Sequence, residues 1–303
     1  MVKAESQKAT FIEHLARRMT WPRFFFALGM FIFWVMVVFP FYWMVSASFK
    51  TGAEIAGRAP TFVPAALRLD AYQQLFNPLW ERFDDFGTNV VNSILVAVPT
   101  AIIAVILSML GAYAIARLKF RGKDFMLNSV LLIYLFPGIL LIIPLFAMLS
   151  QISLWLGLFD VQDNLGILVF TYLAQTLPVA LYMLANYFRT IPDEIEQAAL
   201  IDGCTRLGVI WRVTMPLSVP AVISVGVYTF MIAWNEFLYA FVFLNDRTMF
   251  TMPIKIYTIF TDPSPQMEVV MAASVVMSLP VMILFLALER YLAAGLSAGG
   301  VKG

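Results

Sequence analysis

One cysteine, one histidine and little charge set the first limits on this chain of 303 residues. Cys204 has no second cysteine to pair with, which excludes an internal disulfide. Cys204 and His14 together fall short of the three or four ligands a protein-built zinc site normally needs, so no metal site of that kind is expected. Charged residues make up 13% of the sequence, and a net charge of +1 provides no basic field to steer a nucleic acid. No Gly-x4-Gly-Lys-Ser/Thr pattern occurs, so no phosphate cradle is visible. Nor is there a constellation of nucleophile, base and acid, and His14 reads as part of an amphipathic N-terminal tail.

What the chain has in excess is apolar surface: 61% hydrophobic residues, 27 of them phenylalanine, outside the usual balance of a soluble domain. Six stretches reach the roughly 20 residues needed to cross a bilayer core of about 30 Å, near residues 24–46, 91–116, 126–149, 165–188, 219–243 and 269–290. The first is too long for a signal-peptide core of roughly 7 to 15 residues, has no small-residue cleavage site, and is expected to be a retained span. The expected fold is an all-α membrane protein of six transmembrane helices: a tail over residues 1–23, a single domain over 24–294, and a second tail over 295–303.

Lysine and arginine placement sets the expected orientation. With the N-terminus inside, 14 of the 20 basic residues fall on the cytoplasmic side, including Arg117, Lys119, Arg121 and Lys123 after the second span. Both termini are then expected in the cytoplasm. Each span contains or begins with a proline, among them Pro40, Pro99, Pro137, Pro178, Pro220 and Pro280. Such kinks suit a moving pathway, although prolines are also simply commoner in membrane helices.

Between the fourth and fifth spans, residues 189–218 break the pattern, reading RTIPDEIEQAALIDGCTRLGVIWRVTMPLS. Thr190 and Asp193 have capping-box spacing, Pro192 suits a first turn, and Asp193, Glu194 and Glu196 place negative charge at a helix N-terminus. Ile195, Ala198 and Ala199 share a face, and Gly203 supplies the stop. Thr205 can cap a second short helix carrying Leu207, Ile210, Trp211 and Val213, before Pro216 and Pro220 return the chain to the bilayer. Helix, glycine bend and helix make a compact protrusion, with Ile210 and Trp211 as anchors of interface type. The same residues also fit an amphipathic segment lying on the membrane surface.

The run Gln197, Ala198, Ala199, three residues, Gly203, nine residues, Val213, Thr214, Met215, Pro216 resembles the EAA loop of ABC importer permeases, with Gln197 where that family has Glu. Asn92 and Ser93, Ala112 to Arg117, Trp234 to Phe237, and the ending Gly295 to Gly303 are similar to the maltose-type carbohydrate importers, in particular the smaller of their two permeases.

That resemblance implies a translocation subunit of the bacterial plasma (inner) membrane that is not itself an enzyme. It works with a second, homologous permease, an ATPase dimer that binds ATP and magnesium, and an extracellular or periplasmic solute-binding protein. No cofactor is expected in this chain. By the same resemblance Glu194, Gln197, Ala198, Ala199 and Gly203, with Trp211 and Pro216 in the same loop, would meet the ATPase, and Gly295, Gly299 and Lys302 in the tail would reach between the ATPases. The loop from Asn245 to Glu268 would meet the binding protein, with Thr251, Met252 and Pro253 as its tip; an ordinary proline-set turn is the alternative.

In the fifth span, Asn235 and Glu236 are the polar candidates for the pathway. Glu236 could equally be relieved near the membrane surface, and Asn235 could bond another helix. Expected substrates range from a disaccharide to an oligosaccharide, an acidic glycan such as alginate included, with no residue selecting among them. A permease for a non-sugar solute shares the loop, but Trp234 to Phe237 and the tail argue against it. A transporter driven by ion gradients would need more intramembrane ionisable groups than Glu236.

Overall fold

The computed structural model describes residues 21–77, 85–157 and 160–300, and among these every regular element is a helix. The first, α1 (Trp21–Ser48), is followed by two short helices, α2 (Gly52–Ile55) and α3 (Asp70–Phe76). Then come α4 (Phe86–Arg117), α5 (Lys123–Tyr134), a 3-10 turn at Gly138–Leu141, α6 (Ile142–Leu156) and α7 (Leu165–Phe188). The second half holds α8 (Asp193–Ile201), α9 (Arg206–Val209), a π-helical turn at Ile210–Thr214, α10 (Met215–Leu217), α11 (Val219–Asn235), α12 (Leu238–Phe243), α13 (Met252–Phe260) and α14 (Met267–Gly300).

Five of these segments are long and apolar enough to cross a membrane, and a sixth is added if the helical arm Arg206–Leu217 and α11 are taken as one span bent by 86°. Expected spans one, two, four and six coincide with α1, α4, α7 and α14. The third and fifth do not form single helices. The stretch expected at 126–149 breaks after Tyr134, and the crossing segment begins at Gly138. Pro137 lacks an N–H and sits in extended backbone (ψ 111°), and proline also disfavours helix at the residue before it. The stretch expected at 219–243 breaks at Glu236, whose backbone is extended (ψ 129°). Its carboxylate instead accepts from the N–H groups of Tyr239 (3.0 Å) and Ala240 (3.2 Å), restarting the chain as α12. An anion at a helix N-terminus is favourable, so the break satisfies donors that a new helix leaves open.

The centre of the bundle is the pair α4 and α7, with α11 against both and α14 against α11. Gly111 lets α4 and α7 approach: a Cβ there would lie 2.6 Å from Leu181 Cδ1. Apolar clusters fill both ends, Tyr172, Trp234 and Phe243 in one and Met109, Leu184 and Phe188 in the other. By contrast α1 lies along α14 and leaves most of its side chains exposed. Hydroxyls within the spans are satisfied by their own helix: Thr100 donates to Val96 O (2.7 Å), Thr176 to Tyr172 O (2.8 Å) and Thr229 to Val225 O (2.9 Å). In a medium without water that is the nearest acceptor available.

At the end of the bundle opposite Arg117, α4 grips the chain between α12 and α13. Asn89 Nδ2 donates to Arg247 O (2.9 Å) and Phe250 O (3.1 Å), Asn92 Nδ2 to Thr248 O (2.8 Å) and Phe250 O (3.1 Å), and the Met252 N–H to Ser93 Oγ (2.7 Å). Beside this clamp, two hydrogen bonds from Thr248, its backbone N–H first and then its hydroxyl, hold the Asp246 carboxyl below the usual carboxylate range. Asn92→Ala strips buried carbonyls of a donor, a change that costs about 1–3 kcal/mol. It is expected to lower the thermal unfolding midpoint in detergent, whereas Thr261→Ala, at an exposed hydroxyl bonded only to Tyr257 O, leaves it unchanged.

Candidate functional site

The segment between α7 and α11 is a helix, a bend and a second helical arm, held to the end of α4 by one arginine. Arg117, the last residue of α4, donates through Nη1 to Asp193 Oδ1 (2.6 Å) and through Nη2 to Ile191 O (2.8 Å). Its Nε lies 3.0 Å from Glu196 Oε1 as a charge contact rather than a directed hydrogen bond. Thr214, in the π-helical turn, donates to the same Glu196 oxygen (3.1 Å). Glu196 is buried, 4% exposed, so the ion pair sits out of water between α4, α8 and the returning arm. The cation stands at the C-terminus of α4 and the carboxylates in the first turn of α8, each where the helix dipole favours it.

The bend has a defined chemistry. Gly203 sits at φ +89°, its N–H bonds to Leu200 O (3.1 Å) and the Cys204 N–H bonds to Ala199 O (3.0 Å). These are the two bonds of a Schellman C-cap, which favours glycine at the left-handed position. Thr205 caps α9 as expected, accepting from the Gly208 N–H (3.1 Å). Thr190 does not cap α8: its hydroxyl donates back to Tyr187 O (2.7 Å), and Pro192 occupies the N-cap position, with no side-chain cap bond.

Of the residues singled out from sequence, Glu194, Gln197, Ala198, Gly203 and Pro216 are exposed and Ala199 is partly buried. Ile210 is not an exposed anchor; at 4% exposure it packs in the core cluster with Phe188 and Val209. Trp211 lines an apolar groove with Ile106 of α4, Val222 of α11 and Leu284 of α14 and remains 44% exposed. The exposed apolar side chains of the protrusion are Ile195, Leu207, Trp211, Leu217 and above all Ile201, at 85% exposure. Ile201 was missed because it falls off the face shared by Ile195, Ala198 and Ala199. Arg117 was legible only as one basic residue among several, and nothing local to it announced a partner 76 residues away.

Elsewhere the expected sites are rearranged. Thr251 and Met252 are buried against α4 through the Asn89, Asn92 and Ser93 clamp, so they are not the tip of their loop; Pro253 is half-buried, and the exposed parts are Asn245 to Met249, Tyr257 and Thr258, Phe260, Thr261 and Pro263 to Pro265. Asn235 is exposed in a groove with Phe41, Met277 and Met282 and donates to Met231 O of its own helix (2.8 Å). It therefore does not share a cavity with the Glu236 carboxylate, which caps α12. The backbone of α14 continues through Gly295 and Gly299 to Gly300, so these residues extend a helix instead of forming a separate tail; Lys302 lies outside the described residues, as do His14 and the basic residues before Arg23.

Removing one partner of a buried ion pair costs about 3–5 kcal/mol, because the other charge is left stranded. Arg117→Met is accordingly expected to loosen the protrusion, read as faster trypsin cleavage at Arg206 and Arg212 in detergent-solubilised protein. Arg117→Met combined with Glu196→Leu removes both charges and is expected to recover most of the protection. Cleavage of Arg117→Met no faster than that of the unmodified protein would show that the pair does not hold the segment.

The comparisons with known proteins fit this geometry. Residues 104–298 match the family described as the binding-protein-dependent transport system inner membrane component. The chain is 42% identical, over 94% of its length and 98% of the relative's, to the inner membrane ABC transporter permease protein YcjP of Escherichia coli strain K12. It is 34% identical, over 87% of its length and 92% of the relative's, to the trehalose transport system permease protein SugB of Mycobacterium tuberculosis. Its fold is similar to a chain in the crystal structure of a bacterial ABC transporter that imports the acidic polysaccharide alginate, with a TM-score of 0.74 at 21% identity, covering 88% of this chain and 94% of that one. The family model thus spans both the arginine that holds the protrusion and the protrusion itself, and the chain belongs to the binding-protein-dependent transport system inner membrane components: it is a multi-pass membrane permease.

Proposed function

We propose that this permease forms half of the pathway of an ATP-driven carbohydrate importer and that the protrusion α8 to α10 is where a separate ATPase pushes on it. The observation that carries this reading is the protrusion's construction. It is fixed to α4 by Arg117, exposes Glu194, Gln197, Ala198, Ile201 and Gly203, and joins α11 at 86°. Small side chains beside an exposed isoleucine suit close approach by another protein's backbone, with an apolar anchor at its centre. Trp211, 44% exposed and lining the groove between spans, stands where the protrusion meets them.

In this reading both termini and the protrusion are cytoplasmic, as the arginine and lysine distribution favours. Residues 24–294 act as one six-span unit beside a second permease, and the clamped loop from Asn245 to Glu268 faces a solute-binding protein. The C-terminal end of α14, with Gly295 and Gly299, and Lys302 beyond it lie on the ATPase side. ATP and magnesium belong to the ATPase partner, and this chain contributes no catalytic group. The carbohydrate assignment is supported by the sugar-transport permease among its relatives and by the Trp234 to Phe237 run.

The test is reconstitution of the assembled complex with its binding protein in lipid vesicles. Addition of a transported sugar is expected to stimulate ATP hydrolysis, and stimulation by an amino acid or peptide instead would point to a non-sugar importer. Gly203→Val is expected to leave the protein inserted and assembled while abolishing most uptake. A Cβ at Gly203 meets nothing within 4 Å, so the damage comes only from the left-handed backbone, about 1–2 kcal/mol, acting on the angle between α8 and α9. Normal uptake by this variant would count against the docking role.

A further inference from the structure

We propose that residues 59–67, in the loop after α1, lie in the outer leaflet of the bilayer at the boundary between headgroups and acyl chains, and hold the end of α1 there. The proposal goes beyond the importer reading and rests on it only for which leaflet is the outer one. The segment, APTFVPAAL, is uncharged and stands between Arg58 and Arg68. Its backbone is irregular, and it leaves the side chains of Phe62, Val63 and Leu67 exposed. Apolar groups gathered in this way mark a surface that something covers.

What covers it follows from where the segment runs. Instead of rising away from α1, the chain turns back and lies beside the last turns of that helix. The Phe62 ring packs against those of Phe39 (6.5 Å between centroids) and Trp43 (6.4 Å). At about 1.5 Å per residue, those two positions lie roughly 14 and 8 Å before the helix end at Ser48. The 28 residues of α1 make a rod of about 42 Å, about 12 Å longer than a hydrocarbon core of roughly 30 Å. Shared equally between the two sides, the excess leaves about 6 Å of helix outside, so the Phe62 ring stands beneath the outer boundary. Phe39, Phe41, Tyr42 and Val45 on the same turns of α1 are themselves exposed, and the loop continues their lipid-facing surface.

The second observation is how the segment's polar atoms are satisfied. Backbone beside lipid has to find its partners within the protein, whereas water serves an exposed loop. Phe62 O accepts from the hydroxyls of Tyr42 (2.8 Å) and Ser46 (2.9 Å), and Thr61 O accepts from the Lys50 ammonium, all three donors coming from α1 or the residues just after it. One oxygen of Glu54, in α2, accepts from the Thr61 hydroxyl (2.8 Å) and the Ala65 N–H (3.1 Å). Lys50 is 4% exposed, with its Nζ 4.4 Å from the centre of the Trp43 ring, so this charge is drawn beneath the loop instead of standing on its surface. At the two ends Arg58 and Arg68 are exposed, Arg68 paired with Asp70 (2.8 Å), where cations can reach lipid phosphates. An apolar centre, aromatic rings at Tyr42 and Trp43 and flanking cations make an interfacial anchor. A protein partner would bring donors of its own; a lipid surface brings none, and the bonding within the segment meets that condition.

The experiment uses the assembled complex in phospholipid vesicles, with partner chains that carry no reactive cysteine. Cys204→Ser gives a chain without cysteine, into which Val63→Cys, or Thr261→Cys at the exposed end of α13, is introduced and labelled with a fluorophore. Phospholipids spin-labelled on an upper acyl carbon are expected to quench the Val63→Cys label about threefold more than the Thr261→Cys label, as burial by some 5–10 Å implies. Added iodide is expected to do the reverse. Phe62→Ser removes the ring seated on α1 and is expected to cut the lipid quenching at Val63→Cys by about half, because most of the apolar area holding the segment down is gone; Thr261→Cys is unchanged. Iodide quenching at Val63→Cys equal to that at Thr261→Cys would place the segment in water and overturn the proposal. Protection from both quenchers would mean that another protein of the complex covers it, and protection that arises only on adding the binding protein would identify that protein as the cover. Either outcome overturns the lipid assignment and leaves the importer reading intact. Quenching only by spin labels in the leaflet on the ATPase side would overturn the orientation read above, and with it the leaflet named here.

Discussion

Arg117 ends the second span with a guanidinium that cannot lose its charge and whose donors point in fixed directions. Two of those directions meet Asp193 and Ile191 O, and the charge lies against Glu196, three groups on or just before α8. The protrusion has little core of its own. Val209, Ile210 and Thr214 pack inward, while Ile195, Ile201 and Leu207 face out. Its position relative to the bundle is set by that arginine together with the packing of Val209 and Ile210 on Phe188, with Thr214 joining the returning arm to the same carboxylate. A buried ion pair is a weak source of net stability but a strong source of geometric definition, and definition is what the docking role proposed for this surface requires.

Within the spans the governing constraint is the absence of water. Hydroxyls bond back to their own helices, Trp234 Nε1 finds Met277 O at 3.0 Å, and the Asn89 and Asn92 amides are spent on loop carbonyls. Against that background the two broken spans stand out. At Glu236 the break carries its own remedy, a carboxylate capping the next helix. At Leu135–Pro137 it forms part of the wall of a cavity.

The long apolar runs at α1, α4, α7 and α14 were readable because hydropathy alone demands them, and the Gly203 stop was readable because only a left-handed turn explains a glycine between two amphipathic stretches. What could not be read was long-range. Pro137 was recognised as a kink but not as a full break, because breaking depends on whether neighbours can absorb the freed backbone. Glu236 appeared as an isolated charge, since nothing in its surroundings reveals that the chain folds back to place Tyr239 and Ala240 N–H groups against it. The resemblance alone placed Thr251 and Met252 at a loop tip; the groups that bury them, the Asn89 and Asn92 amides and the Ser93 hydroxyl that accepts from the Met252 N–H, come from a helix about 160 residues earlier. Ile210 and Trp211 followed from composition as surface anchors; packing buries Ile210 in the core, whereas Trp211 lines a groove between spans and stays exposed.

The right-angled corner at Ser218 has a mechanical corollary. An arm set at 86° to a rod works as a crank: a sideways shove on its end becomes torque about the rod, with almost no piston motion along it. Ser218 stiffens that corner by donating its hydroxyl to Thr214 O at 2.7 Å, so the elbow is braced by the residue that also touches Glu196. Torsion entering there is delivered to α11, whose far end at Asn235 is where the chain departs from helix.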